Sequence, residues 1–135
     1  MPITQRLTEV SGVLANAGYA HAVTVSGRLA FVSGQVALDE SGNIVGEGDV
    51  AAQTRQCLRN LEAILSGLGA TWADVARFNW YLVNIESLRA VRDVRDEFLR
   101  PVLGDAHNPA SSLIQVAGLF RPECLIEVDV VVALP

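Results

Sequence analysis

Two stretches of the chain carry apolar residues at helical spacing. In the first, Asp49 precedes apolar positions that recur every three or four residues, and Gly69 follows the last of them. Because aspartate caps a first turn and glycine ends a helix, this pattern predicts a helix between the two. In the second, Ser87 is the expected N-cap. This helix is expected to end before Pro101, because proline has no amide hydrogen to donate to the helix.

Strand patterns fill much of the remaining sequence. Apolar and polar residues alternate in 75–83 and in 125–133, as in strands with one buried face. The runs 21–27 and 28–34 are rich in β-formers and meet at Ser26-Gly27-Arg28, which predicts a hairpin. Ile44-Val45 is a candidate short strand after a loop.

The last two predicted strands, 112–117 and 125–133, are joined through Arg121-Pro122-Glu123. A tight loop of this kind favours an antiparallel pair. The whole order predicts one α+β domain over residues 1–135, with a six-stranded mixed sheet and both helices on one face. The other face would stay bare and apolar. Because burial of apolar area is worth ~25 cal/mol per Å², we expect further copies of the chain to cover it.

Charge and cysteine content narrow the class of protein. Fifteen acidic residues stand against ten basic ones, all arginine, for a net charge of −5. This balance argues against nucleic acid as the main partner. The sequence shows no apolar run of about 18 residues and no apolar leader, so we expect a cytoplasmic protein without a membrane partner.

The nucleophilic and metal-binding residue types are sparse. Cys57 lies on the apolar stripe of the first helix and is expected in the core, and Cys124 is expected to be a second reduced thiol. His21 and His107, with the two distant cysteines, lack the spacing of a metal site. The sequence therefore predicts no metal.

Several short motifs, in order and over nearly the whole length, resemble the RidA (YjgF) family, whose members are also described as endoribonuclease L-PSP-like. They are Tyr19 before Ala22-Val23, Phe31-Val32-Ser33-Gly34-Gln35-Val36, Gln53-Thr54-Arg55-Gln56, Pro109-Ala110-Ser111-Ser112 and Leu125-Ile126-Glu127-Val128. The resemblance implies a chorismate-mutase-like fold and a homotrimer with small-molecule clefts between subunits. It also implies an enamine or imine deaminase, a hydrolase that releases ammonia without metal or organic cofactor.

The same resemblance assigns roles to four positions. Glu127 corresponds to the late-strand glutamate that positions or activates the attacking water, and it is the expected catalytic residue. Tyr19 corresponds to an aromatic residue that closes one side of the cleft. Ser33 and Gly34 correspond to a strand end whose backbone lines the pocket.

One expected residue is missing. The family arginine that binds the substrate carboxylate falls at Ser111, and serine offers one hydroxyl and no charge. The sequence therefore predicts a substrate other than the usual 2-imino acid, unless Arg92, Arg121 or Arg77 supplies the cation from another direction. Arg92 falls where the family often has a cleft-lining asparagine.

Three classes of function follow. The first is hydrolysis of an enamine or imine, the second is a non-catalytic trimer that binds or senses a small molecule, and the third is an interaction protein that uses the trimer surface. Glu127 separates the first from the second, because only catalysis depends on a group that orients water.

Overall fold

The computed structural model describes residues 2–15, 18–105 and 107–135. The predicted α+β class is confirmed. Among the described residues, strands β1 (Ile3–Leu7), β2 (Ala22–Val25) and β3 (Leu29–Gln35) come first. Helix α1 (Val50–Gly67), strand β4 (Val75–Leu82) and helix α2 (Leu88–Leu103) follow. Strands β5 (Ala110–Gln115) and β6 (Ile126–Ala133) come last.

The strands of the described residues lie in two sheets instead of one. A mixed four-stranded sheet has the order β3-β6-β4-β5, and β1 pairs with β2 in a separate antiparallel ribbon. The predicted strand at 44–45 is an isolated bridge from Ile44 to Leu38, whereas β1 was not predicted.

The predicted hairpin of β2 and β3 is wrong, since β3 pairs with β6 and β2 pairs with β1. Gly27 has φ +85° in the turn between them. On either side of this turn, Ser26 donates its amide to the carbonyl of Pro2 and Arg28 accepts from the amide of Leu134. The turn therefore passes the chain from one sheet to the other.

The predicted antiparallel pair of β5 and β6 is also wrong. Strand β4 lies between them, parallel to β5 and antiparallel to β6. Every second residue of β6 is fully buried from Ile126 to Val132, so burial favours a central position for β6. β5 exposes half of Ile114 and takes the edge.

Helix α1 begins and ends where its pattern predicts. The side chain of Asp49 accepts a hydrogen bond from the amide of Ala52 at 3.0 Å. After Gly67, the chain leaves the helix through Gly69, whose φ of +70° suits glycine. The buried stripe of α1 packs on the sheet and includes Cys57, as predicted.

Helix α2 departs from its prediction at both ends. Ser87 stands at the N-cap position but makes no side-chain cap, because it belongs to a 3-10 turn, Ile85–Ser87, that Asn84 caps instead. Pro101 lies inside the helix, which continues to Leu103 and stops at Gly104 with φ +62°. Proline is tolerated there because it removes one hydrogen bond in the last turn only, near solvent.

Both helices cover the same face of the four-stranded sheet, as predicted. That helix-covered face carries the core, including Phe78, Trp80 and Val128. We call the other face the open face. It leaves Phe31 77% exposed and Ile114 50% exposed.

Candidate functional site

A cavity of about 270 Å³ lies between the first half of α2 and the edge strand β5. Its wall includes three of the residues that the sequence predicts in a binding site, Tyr19, Arg92 and Ser111. Arg95, Trp80 and an aliphatic wall that includes Leu113 complete it. We call this space the α2 cavity.

Tyr19 and Ser111 reach the α2 cavity through backbone pairing. Ala20 forms a parallel bridge with Ala110, and the amide of Ala20 donates to the carbonyl of Pro109 at 2.9 Å. The loop that carries Tyr19 is thereby attached to the outer edge of β5, one residue away from Ser111.

The hydroxyl of Ser111 is held by the core. The indole Nε1 of Trp80 donates to Oγ of Ser111 at 3.1 Å, and the Trp80 ring stacks on Phe78 with centroids 4.9 Å apart. Trp80 is 3% exposed, so this hydrogen bond fixes Ser111 from the helix-covered side of the sheet. Ser111 takes part in packing as well as in lining the cavity.

Two arginines of α2 line the cavity, three residues apart and therefore on one side of the helix. Nε of Arg95 lies 3.0 Å from a carboxylate oxygen of Asp96, and the Arg95 side chain is 15% exposed. Arg92 is exposed and makes no ion pair with any described residue. Sequence reasoning missed Arg95, although its spacing from Arg92 was a usable signal.

The remaining predicted residues, Ser33, Gly34 and Glu127, lie together elsewhere. The register between β3 and β6 shifts between Val32 and Gln35, so Ser33 and Gly34 form a bulge. The Glu127 carboxylate lies against Gly34, where a built Cβ would collide with its Oε2 atom. A side chain at this position would therefore displace the Glu127 carboxylate, and glycine leaves it the space that it occupies.

A hydrogen-bonded network lies beside Glu127 on the open face. Tyr81 is opposite Glu127 in the β4–β6 register, and its hydroxyl donates to Oδ2 of Asp129 at 2.9 Å. Asn79 donates to Oδ1 of the same carboxylate at 2.7 Å. The bond to Asp129 is the main cause that raises the pKa of Tyr81. Each oxygen of Asp129 thus has a hydrogen-bond donor, whereas the described residues give Glu127 no such partner.

The predicted site residues therefore fall into two groups on opposite faces of the sheet, the α2 cavity and the group of Ser33, Gly34 and Glu127, and we refer to each as a half-site. Trp80 and Ser111 belong to the helix-covered side, whereas Glu127 and Tyr81 face the other way. Since side chains alternate along a strand, one chain cannot bring its own Glu127 to its own α2 cavity.

Gln53 positions the start of β6 although it lies far from either half-site in sequence. Its side chain is fully buried. Nε2 donates to the carbonyl of Glu123 at 2.8 Å, and Oε1 accepts from the amide of Leu125 at 2.8 Å. This side-chain amide therefore fixes Glu123 and Leu125, just before the strand that carries Glu127.

The thiols stand apart from this chemistry. Burial raises the pKa of Cys57 to about 12 and is also the main cause of the raised pKa of Cys124. Both thiols are therefore protonated near neutral pH. They are unreactive there because only the thiolate acts as a nucleophile.

Two further structural properties concern the described residues only. None of the helices there is both long and apolar enough to cross a membrane. No group of three or more histidine, cysteine, aspartate or glutamate side chains in those ranges is placed to hold a metal ion.

Comparison with known proteins finds a matching family model and relatives of similar length. Residues 10–134 match the family model described as endoribonuclease L-PSP. The chain is 33% identical over 135 residues to a RutC family protein of Synechocystis, covering 98% of this chain and 99% of that protein. It is 34% identical over 105 residues to the 3-aminoacrylate deaminase RutC of Acinetobacter baylyi, covering 78% and 79%.

The fold agrees with these sequence matches. YyfB of Yersinia pestis, a Rid family protein of unknown function, superposes with a TM-score of 0.84 at 35% identity, covering 99% of this chain and all of that one. The resemblance seen in the motifs is thereby confirmed over nearly the full length. The chain belongs to the RidA/YjgF family, whose family model is described as endoribonuclease L-PSP.

Proposed function

We propose that this protein hydrolyses an enamine or imine and releases ammonia, in clefts where the Glu127 half-site of one copy meets the α2 cavity of another. The observation that carries the proposal is the placement of these half-sites on opposite faces of one sheet. A second copy docked on the open face is the simplest arrangement that joins them. The proposed assembly is a homotrimer.

The reaction asks little of the protein. Protonation of an enamine at carbon gives an iminium ion, and water adds to its carbon while a base takes one proton from that water. The resulting carbinolamine takes up that proton at nitrogen, the carbon–nitrogen bond breaks, and ammonia leaves as the hydroxyl group gives its proton back to the base and becomes the carbonyl. Glu127 is the proposed base and then acid, since Asp129 is already bound by Tyr81 and Asn79.

The comparisons support deamination as the class of reaction. RutC of Acinetobacter baylyi acts on 3-aminoacrylate, an enamine that carries a carboxylate. The family description also includes endoribonuclease. A net charge of −5 favours a small-molecule substrate over RNA for this chain. The proposed reaction needs neither a metal nor an organic cofactor.

Ser111 bears on the choice of substrate. With Oγ held by Trp80 and no cation on β5 at this position, a 2-imino acid would lack the strand-borne arginine of the family. We therefore propose a substrate outside the usual 2-imino acids. Assays should pair imines freshly generated from several amino acids with 3-aminoacrylate.

The decisive experiment is ammonia release by the wild type and by Glu127→Gln, with Glu62→Gln as the matched control. Glu62 lies on α1, away from both half-sites, and accepts a hydrogen bond from the indole of Trp72. Glutamine can still accept this hydrogen bond. The proposal predicts that Glu127→Gln loses turnover and that Glu62→Gln retains it. Full turnover by Glu127→Gln contradicts the mechanism. Saturable binding without any product in the wild type favours the alternative, a non-catalytic binding or sensing trimer.

The proposed assembly has its own test, sedimentation of Phe31→Asp against Val102→Asp. Both side chains are more than half exposed in the single chain, but Phe31 lies on the open face and Val102 near the end of α2. A charge at an apolar interface is costly to desolvate, so only Phe31→Asp should dissociate the trimer. A wild type that sediments as a monomer contradicts the assembly and the shared cleft with it.

A further inference from the structure

We propose that Arg92 on α2 is the anchor for a ligand carboxylate in the α2 cavity, so that the anion-binding position has moved from strand to helix. This inference rests on the proposed function in taking the α2 cavity as the substrate site. It adds a specificity-determining residue and a ligand class, a small organic carboxylate other than a 2-imino acid, with a short apolar chain and with its carboxylate directed to α2 instead of β5.

The first argument is the uncompensated charge of Arg92. It lines the cavity, and within the described ranges it has no hydrogen bond or ion pair. Asp96, one turn further along α2, is engaged by Arg95 at 3.0 Å and by Arg100 at 3.7 Å. The guanidinium of Arg92 is therefore available to an anion, and its planar fork matches a carboxylate.

The second argument removes Arg95 as the anchor. A Cβ built on Gly18 would lie 3.3 Å from both terminal nitrogens of Arg95 and 3.7 Å from its Cζ. A point equally close to both nitrogens and farther from Cζ lies in front of the open fork. Gly18 therefore lies close to that fork, while Nε of Arg95 is held by Asp96 at 3.0 Å and the side chain is only 15% exposed, so Arg95 acts as a wall of the cavity.

The third argument is the complement around Arg92. Oγ of Ser111 already accepts from Trp80, which leaves its own hydrogen to donate to an anion. The aliphatic wall, with Leu88, Val91 and Leu113, suits an apolar chain. The part of the cleft that one chain supplies has a volume of about 270 Å³, which suits a short chain.

The structure offers an internal probe for the experiment. The sequence contains two tryptophans. Nε1 of Trp80 donates to Ser111 at the cavity, whereas Nε1 of Trp72 donates to Glu62. Titration of the intact ¹⁵N-labelled protein with butyrate should shift the Trp80 indole resonance and leave the Trp72 resonance in place. Butyramide, which has the same shape without charge, should shift Trp80 far less.

The variants are Arg92→Gln and Arg89→Gln. Arg89 is exposed, lies on the same helix three residues earlier and does not line the cavity. Loss of an arginine–carboxylate contact should weaken butyrate binding by about tenfold or more in Arg92→Gln. Arg89→Gln should bind butyrate as the wild type does, with both variants assembled and folded normally.

Three results would overturn the proposal: no Trp80 shift by millimolar butyrate in the wild type, equal binding of butyramide, or unchanged butyrate binding in Arg92→Gln. None of these depends on turnover. Ammonia release without a butyrate effect would contradict the role of Arg92 as anchor and would leave the proposed reaction intact. Butyrate binding that requires Arg92, in a protein that releases no ammonia, would support the anchor and contradict the proposed reaction.

Discussion

The carboxylate of Glu127 lies directly against Gly34, on the bulge that interrupts the β3–β6 register. The bulge interrupts the regular pairing of the two strands at this point. The absence of a side chain at Gly34 leaves the space that the Glu127 carboxylate occupies. The proposed catalytic group therefore occupies space beside the neighbouring strand that any side chain at position 34 would invade. A methyl group at this point tests that relationship directly.

Gly34→Ala should reduce ammonia release by about 100-fold while the fold is retained, because the new Cβ displaces Glu127 from its place. Steady-state kinetics and circular dichroism measure the two effects. Gly67→Ala is the matched control, since a Cβ there meets nothing within 4 Å and alanine suits the last turn of α1. Equal activity in the two variants would show that Glu127 does not depend on the bulge.

Ser111→Ala should lower the free energy of unfolding by about 1 to 3 kcal/mol, because it leaves the buried indole N–H of Trp80 without its acceptor. Urea denaturation gives the value. Ser112→Ala is the neighbour for comparison. Its hydroxyl accepts from Arg77 on an exposed surface, where water replaces it, so the change should stay within about 0.5 kcal/mol. The reverse order of the two values would contradict the packing role of Ser111.

Gln53→Leu should destabilise the fold by about 3 kcal/mol or more, because the carbonyl of Glu123 and the amide of Leu125 lose a buried partner together. Gln56→Leu, on the same helix, removes one hydrogen bond from the Gln56 side chain to Asn60 and should lower the free energy of unfolding by about 1 kcal/mol. Thermal unfolding of both variants measures the difference. Equal melting temperatures would mean that Gln53 does not hold the start of β6.

The stability of the protein should fall in alkali because of Cys57. Burial raises its pKa to about 12, whereas an unfolded cysteine titrates near about 8.5. Between those values the unfolded chain has released a proton that the folded chain still holds, so the free energy of unfolding decreases as pH rises. Below about pH 8.5 both states are protonated and this dependence vanishes.

Urea titrations from pH 7 to pH 10 compare the wild type with Cys57→Ala. The variant should be less stable at pH 7, on the order of 1 kcal/mol, because it leaves a small void in the core. Its pH dependence should be shallower than that of the wild type. Parallel curves would show that Cys57 does not contribute to the alkaline slope.

The sequence predicts the elements whose burial is periodic and fails where pairing decides. Helix α1 and strand β6 have regular apolar positions, and both were predicted within a residue or two. Strand β1 has little alternation and exists through its pairing with β2, so its sequence carries no signal of its own. The order of strands in the sheet depends on which one becomes most buried, and no local pattern contains that.

The residues of the candidate site are also predicted only in part from the sequence. Motifs single out Tyr19, Arg92 and Ser111, and the structure brings these three to one cavity. The same motifs single out Glu127, but a list of positions does not say that it faces away from the others. Arg95 has no motif, and its place in the cavity follows from the position of its side chain beside Gly18 and Asp96.

The opposite orientation of the two half-sites has a genetic consequence. In the proposed trimer, a Glu127→Gln chain keeps a sound cavity and an Arg92→Gln chain keeps a sound glutamate. Where the first lends its cavity to the second, the shared crevice contains no altered residue. These two impaired variants, unfolded and refolded as a mixture, should therefore complement each other, and should fail to do so when each is refolded separately and kept from exchanging chains.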